Sequence, residues 1–385
     1  MADPTRAEPL ERLRRRTSEK WATYGTEVLP MFVAEMDYPL APPIKAALHE
    51  AVDLGDTGYV YPADHGVFDA FASFAQDLWG WHPSPAMMAT TTDVSVVIVE
   101  SLRRLIGPGD AVVVTSPVYP PFFDLIPEAG GTVLDVPLLD DGARYGLDLA
   151  GIDRAFAEGA RGVLLCNPHN PLGHVHPRDE LVALSDIVER HGGFVVSDEI
   201  HAPLTHTDAS FTPYLTVSAA AAEHGIAAHS ASKAFNLAGL KCALFVTAGE
   251  RMARLVRHLP DEVRFRTGLF GLIATRVGFT EGREWLAGTL AAIEENRRLL
   301  GALLAEKLPQ AGYREPHASY LAWLDLRALG WGDDPARVAR REAKVALANG
   351  PRFGERGNGF ARLNFACDPA VLTEAVERLA AAASV

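Results

Sequence analysis

The sequence predicts an α/β protein: a mainly parallel sheet with helices on both faces, joined to a smaller α+β domain. Three observations support this fold class. From about residue 43 to 250, helix-like stretches alternate with short, continuously apolar runs. Those runs lack polar–apolar alternation, which is typical of strands buried on both faces. After residue 283 the pattern changes to one long amphipathic helix followed by two further strand-like runs.

Four of the apolar runs are the predicted strands of the large sheet. Because strand–helix–strand units have a fixed right-handed crossover, their succession implies neighbouring parallel strands. Polar residues follow each run, and ligands of open α/β sheets bind beyond the carboxyl ends of the strands. The runs are DAVVVTSP (110–117), RGVLLCNP (161–168), GGFVVSDE (192–199) and KCALFVTAG (241–249).

The second domain begins with a predicted helix over 284–308, which has apolar residues at helical spacing and ends at Pro309. Strands are predicted within SYLAWLDLR (319–327) and GFARLNFAC (359–367). The resulting division has three parts. They are an N-terminal segment (1–42) packing on the small domain, the large α/β domain (43–283), and the bridging helix with the small α+β domain (284–385).

Composition excludes several classes of protein. A net charge of −13 argues against a sequence-independent nucleic-acid binder and against docking on anionic membranes. No apolar run reaches the roughly 18–20 residues that span a bilayer, and the N-terminus has no apolar signal region. The cysteines Cys166, Cys242 and Cys367 lie in or beside apolar stretches, which predicts buried free thiols in a reducing compartment. We therefore expect a cytoplasmic protein.

The residues after the strands include groups that suit chemistry. Alone, each has an ordinary explanation, since Asn-Pro forms turns and Asp or Ser caps helices. Together at one sheet edge they suit pyridoxal phosphate, which needs a lysine to bind its aldehyde and a carboxylate facing its ring nitrogen. An amide, an aromatic face and phosphate-binding hydroxyls complete such a site. The candidates are Tyr119, Asn167, Asn170, Asp198, His201 and, within HSASKAFNLAGLK (229–241), Lys233.

With Tyr119, NPHNPLG, SDEIH and SASK in this order, the chain resembles fold-type-I pyridoxal-phosphate enzymes of the class I/II aminotransferase superfamily over nearly its whole length. The resemblance implies an aspartate-aminotransferase-like large domain. It implies that Lys233 binds the cofactor covalently, Asp198 meets the ring nitrogen, Asn170 meets the phenolic oxygen and Tyr119 stacks on the ring. The implied phosphate ligands are Val94, Ser95, Ser230, Ser232 and Lys241, although an arginine is common at the last position and TTDVSVV lacks the expected glycine.

Local sequence motifs are more similar to those of the MalY/PatB group of cystathionine β-lyase-like C–S lyases. LPMFVAEMDYPLAPPIKAAL (29–48) resembles its N-terminal entry, and TGYVYP (57–62) resembles its GY motif. The motif's tyrosine reaches the phosphate of the neighbouring subunit, which implies a homodimer with shared sites. Tyr59 is the favoured residue and Tyr61 the alternative.

The same resemblance assigns two more residues. Arg362 in ARLNFA matches the arginine that clamps the substrate α-carboxylate, with Asn170 beside it. His201 stands where many aminotransferases have a tyrosine bonded to the phenolic oxygen. The residues that shape the side-chain pocket are expected in the N-terminal entry, the 201–214 loop and the 350–360 loop.

Three functions remain open at this stage. The first is β-elimination on a cysteine-derived thioether, in which Lys233 takes the Cα proton, a thiolate leaves, and pyruvate and ammonia follow. The second is an aminotransferase, whose first proton transfer is the same. The third is a regulatory protein that keeps the fold. We expect no metal site, because neither His174 with His176 nor His201 with His206 comes with an obvious carboxylate or cysteine set.

Overall fold

The computed structural model describes residues 5–60 and 65–384. Short 3-10 turns and one π-helical turn (Ala339–Ala343) connect some of the elements. The helices are α1 (Leu10–Leu13), α2 (Glu19–Ala22), α3 (Pro42–Asp53), α4 (Val67–Trp79), α5 (Val94–Leu105), α6 (Phe122–Glu128), α7 (Leu149–Ala157), α8 (Arg178–Arg190), α9 (Ala219–His224), α10 (Glu250–Arg257), α11 (Asp261–Phe265), α12 (Leu269–Glu281), α13 (Arg283–Lys307), α14 (Pro335–Val338) and α15 (Pro369–Ala383). The strands are β1 (Leu29–Pro30), β2 (Met88–Thr91), β3 (Ala111–Val114), β4 (Thr132–Asp135), β5 (Leu139–Asp140), β6 (Tyr145–Gly146), β7 (Gly162–Cys166), β8 (Phe194–Asp198), β9 (Gly225–His229), β10 (Ala243–Val246), β11 (Gly312–Tyr313), β12 (Leu321–Asp325), β13 (Val345–Ala346), β14 (Ala348–Asn349) and β15 (Phe360–Asn364).

The large sheet has seven strands in the described part of the chain, in the order β2-β10-β9-β8-β7-β3-β4. Strands β9, β8, β7, β3 and β4 are parallel, whereas β10 runs antiparallel to both β9 and β2. The mainly parallel sheet predicted from sequence is confirmed, and the four predicted runs contain β3, β7, β8 and β10. Strands β2, β4 and β9 were not among them.

Both faces of this sheet are buried, as the absence of alternation predicts. Within β7, Val163 and Leu165 belong to one hydrophobic core, and Leu164 and Cys166 belong to the other. Successive side chains of a strand point to opposite faces, so each face needs its own apolar layer. Helix α5 packs on one side, and α8 packs against β8 on the other. Continuous apolar runs are therefore what this position in the fold requires.

The C-terminal part contains a four-stranded antiparallel sheet in the order β11-β12-β15-β14. Helix α13 corresponds to the helix predicted over 284–308, and it packs against α12 and α15. The two predicted strands of this region are β12 and β15. The domain boundaries after residues 42 and 283 stay predictions.

The N-terminal segment lies against the C-terminal sheet. Strand β1 pairs in parallel with β13, and the Asp37 N–H donates to the Ala366 carbonyl at 2.9 Å. The Asn364 amide donates to the carbonyls of Val33 at 2.7 Å and Glu35 at 2.6 Å. On the other side, Asn236 exchanges two hydrogen bonds of 2.9 Å with the Met36 backbone. Residues 33–37 are thus held from both parts of the chain.

A buried ion pair anchors this segment. Lys20 Nζ lies 2.7 Å from Asp37 Oδ1, and their side chains are only 0% and 2% exposed. Such a pair contributes little net stability over an apolar pair, but removing one partner leaves a buried charge uncompensated. The pair therefore fixes the path of the segment rather than adding much to its stability.

We predict that Asp37→Asn lowers the free energy of unfolding by about 3–5 kcal/mol, because the Lys20 ammonium then stays buried without its counter-charge. Urea denaturation of the two proteins measures the difference. Lys307→Ala is the matched control, since it breaks a lysine–carboxylate pair (3.1 Å to Glu377) that is partly exposed on both sides. The control should lose much less stability than Asp37→Asn, because an exposed pair contributes little. Equal losses in the two variants would contradict the anchoring role.

Among the described residues, no helix is both long and apolar enough to cross a membrane. The three cysteines are buried and free, as predicted.

Candidate active site

One cavity of about 900 Å³ opens at the carboxyl ends of the parallel strands. It brings together residues that are far apart in the chain, because the crossovers return every parallel strand to the same edge. The candidates Val94, Ser95, Tyr119, Asn170, Asp198, His201, Ser230, Ser232, Lys233, Lys241 and Arg362 all line it. Asn167 does not. Its side chain binds the backbone, accepting from the His176 N–H at 3.2 Å and donating to the Thr212 carbonyl at 3.5 Å.

Lys233 projects into this cavity, and its Nζ donates to the Ala34 carbonyl at 3.1 Å. Burial, followed by the Arg362 guanidinium, lowers the pKa of Lys233 to about 8, whereas Glu35 and Asp198 act in the opposite sense. An amine whose pKa lies near neutral pH loses its proton readily. The neutral amine is the form that acts as a nucleophile or a base.

Asp198 is the last residue of β8 and is 5% exposed. Its Oδ1 accepts the Ile200 N–H at 3.1 Å. Burial raises the pKa of Asp198 to about 7, although the Ile200 bond and the Lys233 charge oppose the shift. A cation placed against this carboxylate would favour its ionised form.

Tyr119 and His201 form walls of the cavity in neutral forms. Burial, with the nearby Asp198 charge next, raises the pKa of Tyr119 to about 12. Burial, followed by the Lys233 and Arg362 charges, lowers the pKa of His201 to about 3. His201 Nδ1 lies 3.0 Å from the Ser319 hydroxyl, so a neighbour fixes the ring.

The start of α5 and the segment after β9 together suit an anion. The first N–H groups of a helix have no intrahelical partner, and Val94 and Ser95 are the first two residues of α5. No residue of the 92–95 turn has a positive φ. The turn therefore has no need of the glycine that the resemblance leads one to expect.

The segment after β9 is ordered by its own serines. The Ser230 hydroxyl donates to the Cys242 carbonyl at 2.7 Å and accepts the Ser232 N–H at 3.1 Å. Lys241 stands in a left-handed conformation (φ 64°), and its Nζ lies 3.0 Å from the Asp93 carboxylate, just before the helix start. Lys241 thus supplies positive charge at this end of the cavity, partly compensated by Asp93.

Arg362, in β15, is buried among hydrogen-bond acceptors. It donates from Nη1 to Asn170 Oδ1 and from Nη2 to the Phe32 carbonyl, each at 2.9 Å. Its Nε is buried without a hydrogen-bond partner. Burial lowers the pKa of Arg362 to about 10, so the group stays cationic at neutral pH. A buried guanidinium with no carboxylate partner in the described chain is suited to a carboxylate ligand.

The TGYVYP motif contains two tyrosines, Tyr59 and Tyr61. The Tyr59 side chain is 98% exposed and does not line the cavity of its own chain. Tyr61 lies outside the described residues.

Sequence reasoning missed several parts of the wall. The Ala34 carbonyl receives hydrogen bonds from both Lys233 and the Tyr320 hydroxyl, the latter at 2.9 Å, and no side-chain pattern reports a backbone carbonyl. Arginines at the mouth also escaped notice, although RVARR (337–341) is a visible basic run: Arg337 and Arg340 line the cavity. Of the expected pocket segments, the N-terminal entry and the 350–360 loop contribute, whereas only His201 does so from 201–214.

Comparison with known proteins agrees with this geometry. The family model for aminotransferase class I and II matches residues 66–379. A Mycobacterium tuberculosis protein with a provisional name as a cystathionine beta-lyase is 44% identical, over 96% of each chain. The cystathionine beta-lyase PatB of Bacillus subtilis is 33% identical, over 95% of this chain and 97% of its own.

A solved structure shares the architecture. It is provisionally described as a PLP-dependent beta-cystathionase from Corynebacterium diphtheriae, with a TM-score of 0.93, 34% identity and 99% of each chain covered. The resemblance to the MalY/PatB group is thereby confirmed. The chain belongs to the class I and II aminotransferase family.

Proposed function

We propose that this protein is a pyridoxal-phosphate-dependent C–S β-lyase. It cleaves cysteine-derived thioether amino acids to a thiol, pyruvate and ammonia. The observation that carries the proposal is the meeting of Lys233, Asp198 and Arg362 in one cavity. A buried amine, a buried carboxylate and a buried carboxylate receptor are what a lysine-bound pyridine cofactor and an α-amino acid require.

The residues present fit pyridoxal 5'-phosphate. The phosphate would lie on the N–H groups of Val94 and Ser95, with the 230–232 segment and Lys241 around it. Asp198 would face the ring nitrogen, where it gains the cation that favours its ionised form. Asn170 and His201 would meet the phenolic oxygen, and Tyr119 would lie on the ring face. When bound, the cofactor supplies an electron sink for a substrate deprotonated at Cα.

The chain's own residues would then act on the substrate. Arg362, with Asn170 beside it, binds the α-carboxylate and so aims the Cα–H bond. Lys233 takes the Cα proton on Nζ, and its depressed pKa suits it to that task. The electron pair of the Cβ–S bond leaves with the sulfur as a thiolate. The remaining three-carbon fragment is hydrolysed to pyruvate and ammonia.

An aminotransferase is the second candidate, because the family contains both activities and the first proton transfer is shared. The relatives named as cystathionine beta-lyases favour elimination. A purely regulatory role has less support, since the lysine, aspartate, asparagine and arginine are all in place in the cavity.

Cystathionine or cystine, supplied without any keto acid, tests the choice. Elimination releases pyruvate and a free thiol under these conditions. Turnover that strictly requires a keto-acid acceptor would overturn the lyase assignment in favour of an aminotransferase. Lys233→Ala protein serves as the background control for non-enzymatic release.

We also propose that the protein is a homodimer with shared active sites and that it is cytoplasmic. The exposed Tyr59 supports the homodimer, because a tyrosine with 98% exposure in the single chain is free to reach a partner's cavity. The three buried free thiols support the cytoplasmic location.

Mixing two inactive variants checks the dimer. We predict that Tyr59→Phe and Lys233→Ala chains, unfolded and refolded together, recover about a quarter of the parent activity. Half of the dimers are then mixed, and each holds one intact site of two. Tyr61→Phe in place of Tyr59→Phe is the comparison that identifies the cross-subunit tyrosine. No gain over the separate variants in either mixture would contradict site sharing.

A further inference from the structure

Behind the loop that carries Asn170, three potential metal ligands converge outside the cavity. His174, His176 and Glu180 each offer a ligand atom, and these atoms lie within 4.8 Å of one another. None of the three lines the cavity. The sequence interpretation did not pair the histidines with a carboxylate, because Glu180 belongs to α8 whereas the histidines precede it.

The local backbone explains the convergence. His174 and His176 are two residues apart in a stretch bridged in antiparallel fashion to His169, and residues at that spacing share one side of an extended chain. Pro177 is the N-cap of α8, and the first turn of that helix brings Glu180 back against His176. Gly173 allows the 316–318 segment to cover this bend, since a Cβ there would lie 2.6 Å from the Ala318 carbonyl oxygen.

The hydrogen bonds leave ligand lone pairs unused. His176 Nδ1 lies 2.7 Å from Glu180 Oε2, and Glu180 Oε1 accepts the Leu147 N–H at 2.7 Å. A carboxylate can only accept, so Nδ1 donates in this bond, and an ion that displaced its proton would bind between the same two atoms. The His176 side chain is 0% exposed, and its Nε2 is buried with no partner in the described chain. The Nε2 of His174 is buried and unpartnered as well.

A buried histidine usually satisfies both ring nitrogens, because an unpartnered buried acceptor is destabilising. Two such nitrogens next to each other, with ring centroids 4.9 Å apart, exceed what a structural hydrogen bond needs.

Two features oppose a cation here, and both are compensated. The start of α8 carries a partial positive charge, which the Glu180 carboxylate in its first turn offsets. Arg314 also faces the cluster, but Asp140 holds it through two hydrogen bonds of 2.8 and 2.7 Å. The cluster therefore combines one carboxylate with two imidazoles.

We infer that His174, His176 and Glu180 form a binding site for a divalent transition-metal ion of the Zn²⁺ class. Imidazole with carboxylate is a donor set that Zn²⁺ accepts, and water would complete the coordination. The three ligand atoms, which lie within 4.8 Å of one another, would rearrange to reach Zn–N and Zn–O bonds of about 2.0–2.2 Å. The ion would link the chain bend after Asn170 to the first turn of α8. It would therefore be a structural metal ion rather than a catalytic one.

Zn²⁺ binding to the untagged holoenzyme tests the proposal. After dialysis against a chelator, the parent should bind one equivalent of Zn²⁺ per chain in a calorimetric titration and show a higher Tm in its presence. His174→Ala should weaken binding at least about 10-fold and remove the Tm increase, while Glu180→Gln should weaken it through the lost charge. His174 is the variant of choice, because the His176–Glu180 hydrogen bond stays intact.

His191→Ala is the matched control. His191 also bonds a carboxylate, Asp153 at 2.8 Å, but belongs to no cluster of three potential ligands in the described chain. It should bind Zn²⁺ as the parent does. The site is refuted if the parent takes up no Zn²⁺, or if its uptake is unchanged in His174→Ala, which would place the metal on the phosphate or thiols. Circular dichroism and the cofactor absorbance confirm that each variant is folded.

Discussion

Replacing Lys233 by alanine is expected to lower kcat for pyruvate release by at least about 10³-fold, because the variant loses both the amine that binds the cofactor and the base at Cα. The same variant should lose the absorbance band near roughly 420 nm that a lysine-bound pyridoxal cofactor shows. The physical basis is the position of Nζ, buried in the cavity with one backbone acceptor at 3.1 Å and the Asp198 carboxylate near it.

Two measurements separate the chemical role of Lys233 from a structural one. Thermal unfolding should show that Lys233→Ala still folds, since alanine leaves no unpaired buried charge at that position. Lys307→Ala, on the partly exposed Glu377 pair, should keep both the band and the rate. A Lys233→Ala protein that retained the band would show that another amine holds the cofactor, and the assignment would fail.

Replacing Arg362 by lysine or alanine is expected to raise KM for α-amino acid substrates by about 10²-fold or more, with a smaller change in kcat. Losing one partner of a buried charge pair costs about 2–5 kcal/mol, and each 1.4 kcal/mol corresponds to a tenfold change in the binding constant. Lysine should not rescue the alanine variant, because a point charge cannot replace the fork that now spans Asn170 Oδ1 and the Phe32 carbonyl.

The measurement that best tests the role of Arg362 is the preference between two substrates rather than the rate on one. The parent should strongly prefer a thioether amino acid over the matching amine that lacks the α-carboxylate. In Arg362→Ala that preference should largely disappear, because the α-carboxylate then has no guanidinium to bind. A preference that survives, or an unchanged KM, would mean that another cation binds the carboxylate.

The arginines at the cavity mouth give these tests a further use. Arg337 and Arg340 line the opening at a distance in sequence from every predicted site residue. They put positive charge on the cavity wall, so substrates with a second carboxylate belong in the first screen. Pyruvate detection across a panel of thioether amino acids would identify the leaving group.

Much of this architecture could be predicted because local patterns report burial. Apolar runs without alternation identified β3, β7, β8 and β10, since strands covered on both faces cannot afford polar positions. Strand β4 escaped because it lies at the edge of the sheet and is partly exposed, so its four residues carry only a weak pattern. The antiparallel direction of β10 has no local signature, because strand direction is set by the connection and not by the residues within the strand.

By itself, then, the sequence determined β3, β7, β8 and β10 and the candidate residues at the sheet edge, from Tyr119 through Asp198 to Lys233. Those are properties of short segments, and the periodicity of burial expresses them locally. Only the tertiary structure decided the contacts between distant segments: the Ala34 carbonyl on Lys233, the Lys20–Asp37 pair, and the His176–Glu180 bond beside two free ring nitrogens. The reason is that backbone carbonyls, charge pairs and ligand sets have no periodicity; they exist only once packing has brought their members within hydrogen-bond distance.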